Sequence, residues 1–200
     1  PGKGRIVRIY GAKSDNNAAL FKRGQDRVLE PLIRSGDIEV VHEDWAEDWK
    51  PENAKRIVNA AITANGPRID AVLASNDGTA GGAIQALSEE GLAGKVLVTG
   101  QDAETVALQR IAVGTQAMTI YKPLRTLASG AAELAVQMAG RRVVVAGKSV
   151  DNGHGPVPSV LFDVVTVTRD NILETVVRDG QASYDDVYRG IPSDQRPPRP

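Results

Sequence analysis

In "IDAVLASNDGTAGGAIQALSEEG" an apolar run from Ile69 to Ala74 stops at Ser75-Asn76-Asp77, and a segment of small residues follows at once. The same juxtaposition recurs along the chain. Ser14-Asp15-Asn16-Asn17 follows "RIVRIYG", "DWAEDWKPEN" follows "IEVVHE", Gln101-Asp102 follows "KVLVTG", and Tyr121-Lys122 ends "AMTIYK". Amides, carboxylates, an indole and an ammonium are groups that hold a polar ligand by directional hydrogen bonds. A local reading stands beside this one: Asp, Asn and Ser just before a helix are favoured N-caps, each contributing roughly 1 kcal/mol. Asp15, Asn16, Asp77 and Asp102 fit either reading. Capping leaves Lys122 and the tryptophans unexplained.

Trp45 and Trp49 are the chain's two tryptophans. A core position is expected for Trp45. Trp49 precedes Lys50-Pro51 at a loop-to-helix joint, where an exposed indole plate is expected. A flat apolar plate beside hydrogen-bonding groups suits a pyranose, whose C–H faces pack on indole while its hydroxyl rim needs donors and acceptors. Asp and Asn side chains each engage two adjacent hydroxyls, and bonds with a charged partner are the stronger kind.

The elements that must position these groups alternate strand and helix. "RIVRIYG", "IEVVHE", "DAVLAS", "KVLVTG", "AMTIYK" and "VLFDVVTV" read as strands. The intervening helices are "NAALFKRGQDRVLEPLIRSG", "PENAKRIVNAAITANG", a segment from about Asp77 to Glu90, "AETVALQRIAVG", "LRTLASGAAELAVQMAG" and "RDNILETVVRD". Pro51 suits a first helical position, Gly36, Gly66 and Gly91 are stop signals, and Pro31 implies a bend or an early end. The loop "VDNGHGPVPS" precedes the last strand, and "GIPSDQRPPRP" reads as extended. Strands alternating with helices imply parallel pairing, right-handed crossovers and an α/β layered fold. Ligands in such sheets bind beyond the carboxyl ends of the strands, where all the polar clusters fall.

Composition excludes several classes. A net charge of -1 gives no pull toward nucleic acid or an anionic membrane. The chain has no cysteine, so thiolate metal sites, cysteine nucleophiles and disulfides are ruled out. "GAKS" lacks the upstream glycine of a phosphate loop, and the glycines of "DGTAGGA" read as helix–sheet packing. His42, expected near a strand end, and His154, expected in a turn, lack ligand-spaced companions, so neither a metal nor a cofactor is expected. Asp102 with Lys122 would suit phosphoryl transfer if Asp15 and Asp77 held Mg²⁺, a reading with no role for Trp49.

The motifs "SDNNAALFKRGQ", "DWAEDWKPENA", "IDAVLASNDGTAGGAIQAL", "GQDAE" and "GTQAMTIYKP" resemble the D-xylose-binding proteins that feed bacterial ABC sugar importers, a branch of the type I periplasmic sugar-binding proteins. The resemblance runs from the first strand to about Asp179. It implies a two-lobed, hinged α/β protein of periplasmic-binding-protein type, not an enzyme, that closes on D-xylose or a related monosaccharide. Partners would be the membrane subunits of an ABC permease, and the location periplasmic or extracytoplasmic. Carried over by motif, the sugar contacts are Asn17, Trp49, Asn76, Asp102 and Lys122, with Lys122 near a hinge crossing and Asp77 kept as a cap.

The resemblance also divides the chain. Residues 1–115 would be the second lobe, lacking its first strand and helix, and 116–158 a crossing segment and helix of the first lobe. Residues 159–179 would return to the second lobe, with 180–200 an extended tail. The family's leading portion has no counterpart here. Since the chain begins at Pro1 and enters a strand directly, a proteolytic fragment, a truncated product or a separate partner chain is expected to explain this. A sugar-sensing domain of a regulator or receptor with the same fold is the alternative outside transport.

Overall fold

Strand β1 (Gly4–Tyr10) shows how the sheet is built. Its side chains alternate, with Val7 and Ile9 entering the main core and Ile6, Arg8 and Tyr10 buried on the opposite face. β1 pairs in parallel with β2 (Ile38–Trp45) on one side and β3 (Ala71–Ala74) on the other, and β3 pairs with β4 (Leu97–Val98). The structure, a computed structural model, describes residues 2–199. Pro1 and Pro200, the outer ends of the expected second lobe and tail, lie outside the described residues.

The sheet order is β2-β1-β3-β4, with helices on the connections: α1 (Asn16–Arg34), α2 (Pro51–Asn65) and α3 (Asp77–Glu89). Beyond β4 the chain continues as α4 (Thr105–Val113) and β5 (Thr119–Tyr121), which pairs with β8 (Val165–Val167). Ala117 N donates to Val98 O and Ile120 N to Gly100 O, so β5 runs alongside the continuation of β4.

One face of the sheet carries the apolar core. Val7, Ile9, Val72, Ala74 and Val98 meet Ile57, Val58 and Ala61 of α2 and Ala83, Ile84 and Leu87 of α3. A fully buried Leu or Ile of this kind stabilises by roughly 1.5–3 kcal/mol. α2 and α3 approach closely because of Gly82, where a Cβ would stand 2.0 Å from Pro51 O. Gly82 therefore serves helix–helix contact, rather than the helix–sheet packing the sequence suggests.

The other face at β1 is polar. Arg8, 3% exposed, pairs with Asp26 of α1 at 2.7 Å and lies 4.9 Å over the Tyr10 ring, whose hydroxyl donates to Glu43 at 2.5 Å. Burial and the Glu43 bond push the Tyr10 phenol far above its ordinary range. α1 runs through Pro31 without ending there. The proline lies in the last turn, and Ser35 and Gly36 (φ 77°) then close the helix.

The described chain divides into two compact units, one running through Tyr121 and resuming at Thr166, the other Lys122–Val165. The first division falls later than the sequence boundary at 115/116, because β5 stays hydrogen-bonded to the β4 continuation, and the second falls later than 158/159. The smaller unit holds α5 (Leu124–Ala139) and an antiparallel hairpin of β6 (Lys148–Asp151) and β7 (Pro156–Ser159). The segment read as the loop 150–159 is thus the end of the first strand, the turn and the second strand of that hairpin, with Gly153 and Gly155 at φ 90° and 152°.

Residues 180–200 were expected to be extended, and here the structure corrects the reading. α6 (Tyr184–Val187) packs on α4, Ser183 Oγ caps it by accepting from Asp186 N at 3.0 Å, and Gln109 Nε2 donates to Asp186 O at 2.8 Å. Val187 and Tyr188 are buried, and Tyr184 Oη donates to Pro197 O at 2.6 Å. The apolar spacing that drives this docking lies upstream of the proline-rich run that suggested extension. Before α6, Leu173–Val177 forms a π-helical turn, not the regular helix expected.

Candidate functional site

All the strands of the main sheet run parallel, so the loops after β1, β2, β3 and β4 emerge along one edge. Asp15 begins the series. Its Oδ1 accepts from Asn17 N at 2.8 Å and caps α1, while Oδ2 accepts from Trp49 Nε1 at 3.2 Å. The carboxylate thus joins the loop after β1 to the loop after β2, and Asn17 is exposed at the start of α1.

Trp49 ends a 3-10 turn, Glu47–Trp49, in which Asp48 and Trp49 adopt φ of 52° and 59°. A bulky residue in the left-handed region is a genuine outlier held by its surroundings. Trp49 N donates to Ala46 O, Lys50 N and Asn53 Nδ2 donate to Glu47 O, and the indole is mounted on three supports. These are Asp15, the Phe21 ring (edge-on, centroids 6.4 Å apart) and Gly11, where a Cβ would lie 2.1 Å from the indole. Trp49 is consequently half-buried, not the freely exposed plate expected. Trp45, expected in the core, is half-buried at the end of β2 with its ring tilted on Tyr10 at 4.9 Å.

The roles expected of the next pair change. Asn76 is the N-cap of α3: its Oδ1 accepts from Thr79 N at 2.9 Å, and Thr79 Oγ1 accepts from Asn76 N at 3.3 Å. Nδ2 of Asn76 takes no part in the cap. Asp77, expected to cap, is fully buried. Its Oδ1 accepts from Gln116 Nε2 at 2.8 Å and its Oδ2 from Thr119 Oγ1 at 2.9 Å and Glu104 N at 3.0 Å. Burial pushes its carboxyl above the ordinary range, opposed by these hydrogen bonds and by Arg110, whose Nη2 donates to Asp77 O at 2.8 Å. Burial in turn lowers the Arg110 guanidinium. A Mg²⁺-holding role for Asp77, which phosphoryl transfer would require, conflicts with a carboxylate enclosed by three donors.

Asp77 N donates to Gln101 O at 2.8 Å, which ties the loop after β3 to the loop after β4. There Asp102 and Ala103 hold φ of 106° and 52°, and Asp102 is partly exposed. Gly78 borders both Asn76 Nδ2 and Pro51 Cγ, with 3.6 and 4.0 Å from its Cβ position, so the Trp49–Pro51 joint adjoins Asn76. Hydrogen bonds thus tie Asn17 through Asp15 to Trp49, and the loop of Asn76 and Asp77 to that of Gln101 and Asp102, while Gly78 places Pro51 beside Asn76. Lys122 follows β5 and opens the smaller unit.

Two features escaped the sequence. The buried set Asp77, Gln116 and Thr119 joins residues far apart in the chain, and local spacing carries no signal for it. A cavity of about 420 Å³ beside the loops after β1 and β2 is lined by Lys13, Ser14, Asp44, Trp45, Asp48 and Arg56 among others, and by none of the five expected contacts. Among the described residues no group of three or more His, Cys, Asp or Glu could hold a metal ion, and no helix is long and apolar enough to cross a membrane.

In a parallel α/β sheet, ligands bind at the carboxyl edge where these polar loops emerge. The periplasmic binding protein domain matches residues 1–142, and the chain belongs to that family. It is 49% identical over 178 residues to the D-xylose-binding periplasmic protein of Escherichia coli (strain K12), covering 89% of this chain and 54% of that protein. The D-xylose-binding periplasmic protein of Haemophilus influenzae is 47% identical over 186 residues, covering 93% and 56%. The chain thus spans about half the length of the curated relatives it matches. A carbohydrate transporter solute-binding protein from Chloroflexus aurantiacus, solved in complex with D-glucose, superposes with a TM-score of 0.83 at 31% identity. That match covers 93% of this chain and 62% of the other.

Proposed function

We propose that this chain is a large part of the substrate-binding component of an ABC importer. The whole component binds a pentose, D-xylose, in the periplasm and delivers it to the membrane permease without chemical conversion. The observation that supports this reading is that the loops bearing Asn17, Trp49, Asn76 and Asp102 follow parallel strands and emerge at one sheet edge, with Asp15 tying Asn17 to Trp49 and Asp77 tying the Asn76 loop to the Asp102 loop. The nearly half-identical D-xylose-binding relatives supply the sugar.

In this reading the Trp49 ring lies against a C–H face of the sugar. The Asp102 carboxylate accepts from adjacent hydroxyls, the amides of Asn17 and Asn76 donate and accept, and Lys122 donates from the segment after β5. Residues 1–115 act as the second lobe and 116–158 as the crossing into the first, with 159–179 returning. The leading portion of the first lobe comes from the rest of the gene product or from a separate chain. Contacts to both lobes favour the closed state and shift an open–closed equilibrium that the permease reads. Polar groups fitted to hydroxyls reject analogues lacking them, because a buried partner is then left unpaired.

Calorimetric titration of the full-length protein with D-xylose tests the proposal. Saturable binding is expected, with weak or no binding by residues 1–200 alone, since one lobe supplies part of the contacts and none of the closure. Absence of pentose binding by the full-length protein would overturn it.

A further inference from the structure

Four consecutive residues at the sheet edge, Gln101 to Glu104, each have a backbone group pinned from outside their own segment. Gln101 O accepts from Asp77 N at 2.8 Å, and Asp102 N donates to Ile120 O at 2.9 Å. Ala103 N donates to Thr119 Oγ1 at 3.2 Å, and that hydroxyl donates onward to Asp77 Oδ2 at 2.9 Å. Glu104 N donates to the same Oδ2 at 3.0 Å. Three of the four pins thus run to Asp77, directly or through one hydroxyl.

The pinned segment holds two non-glycine residues in positive φ, Asp102 at 106° and Ala103 at 52°. Such conformations are strained and persist only where the surroundings over-determine them. Gly100 admits the clamp, since a Cβ there would stand 2.1 Å from Asp77 Oδ1 and 2.5 Å from Gln116 Nε2. On its far side Gln116 Oε1 accepts from Arg110 Nε at 2.9 Å, which fixes the orientation of the amide.

We infer that Asp77 is a positioning residue for the ligand site: its buried carboxylate holds the Asp102–Ala103 backbone in the strained form that aims the Asp102 side chain along the sheet edge. The inference rests on the proposed role of Asp102 as a sugar contact. Asp77 touches no sugar in this scheme and acts only through the backbone beyond it. Asparagine cannot replace it. Whichever way its amide turns, an NH2 group faces either Glu104 N–H or the Gln116 amide, whose own orientation Arg110 fixes.

The test uses the full-length protein with Asp77→Asn, Thr119→Val and Ile57→Ala, the last a core change away from the clamp. Two quantities are read where circular dichroism shows each variant folded: D-xylose affinity, and hydrogen exchange of the Ala103 and Glu104 amides. Asp77→Asn is expected to weaken D-xylose by about tenfold or more and to speed exchange at both amides. Thr119→Val, which removes the relay to Ala103, should speed exchange chiefly there, and it carries the test if Asp77→Asn does not fold. Ile57→Ala should lower stability while leaving affinity and these two amides at wild-type values.

Wild-type affinity and exchange in Asp77→Asn would overturn the inference while leaving the proposed function intact, as would losses matched by Ile57→Ala. If the wild-type protein binds no pentose, the proposed function falls and the exchange readout alone decides. Faster exchange at Ala103 and Glu104 then supports the clamp, and unchanged exchange overturns it.

Discussion

Asp15 and Trp49 are joined by a 3.2 Å hydrogen bond from the indole Nε1 to the carboxylate Oδ2, while the other carboxylate oxygen caps α1. One side chain therefore fixes both the start of the helix that carries Asn17 and the position of the indole. Asp15→Ala should lower stability by about 1 kcal/mol through the lost cap. It should also weaken D-xylose binding severalfold through the released indole. Urea denaturation and titration followed by tryptophan fluorescence read the two effects separately.

Gly11 sets how deeply that indole can sit. A Cβ at this position would stand 2.1 Å from the Trp49 ring, closer than any real contact, so Gly11→Ala must displace the indole. We expect sugar affinity to fall sharply in Gly11→Ala. Trp49→Ala should then cause little further loss in that background, because the platform is already gone. An additive loss in the double variant would show that the indole kept its place.

Asp102→Ala should abolish D-xylose binding in the full-length protein without unfolding it. Asp102 lies partly exposed at the sheet edge rather than in the core. Alanine is less tolerant than aspartate of φ 106°, so a modest loss of stability should accompany the loss of binding. Calorimetry showing unchanged affinity would remove Asp102 from the site.

The raised Asp77 carboxyl gives stability a pH dependence of definite sign. Burial favours the protonated form in the folded chain, so the folded state holds a proton that the unfolded state releases above the ordinary aspartate value of 3.8. Stability from this group falls as pH rises from that value through the raised one, and is level beyond it. Asp77→Asn lacks the slope. It should also be less stable than wild type by roughly 1–3 kcal/mol at neutral pH, since its amide leaves a buried donor unmatched. The stability advantage of wild type over the variant, from urea midpoints, should therefore widen as pH is lowered across the window.

Residues beyond Asp179 stabilise the lobe. Val187 and Tyr188 are buried, and α6 lies on α4, whose Leu108 and Ile111 are also buried. Truncation after Asp179 should lower the unfolding free energy by a few kcal/mol, the range of a large-to-small core change. An unstructured tail would be removed with no change in the denaturation midpoint.

Much of the fold was legible because its signals are local. The alternation of apolar runs with helical periodicity, Pro51 opening α2 and Gly66 and Gly114 closing α2 and α4 depend only on near neighbours, so the parallel α/β order and the polar strand ends followed from the sequence alone. Spacing could not decide between neighbours of like chemistry. Asn76 and Asp77 are both good caps, and the choice of Asn76 as cap and Asp77 as buried hub was made by Glu104, Gln116 and Thr119, far along the chain. Trp49 likewise became a mounted, half-buried ring because Gly11, Asp15 and Phe21 come to it across the sheet edge. Local propensity names which groups are present at an edge; desolvation and the partners brought by folding set what each group does there.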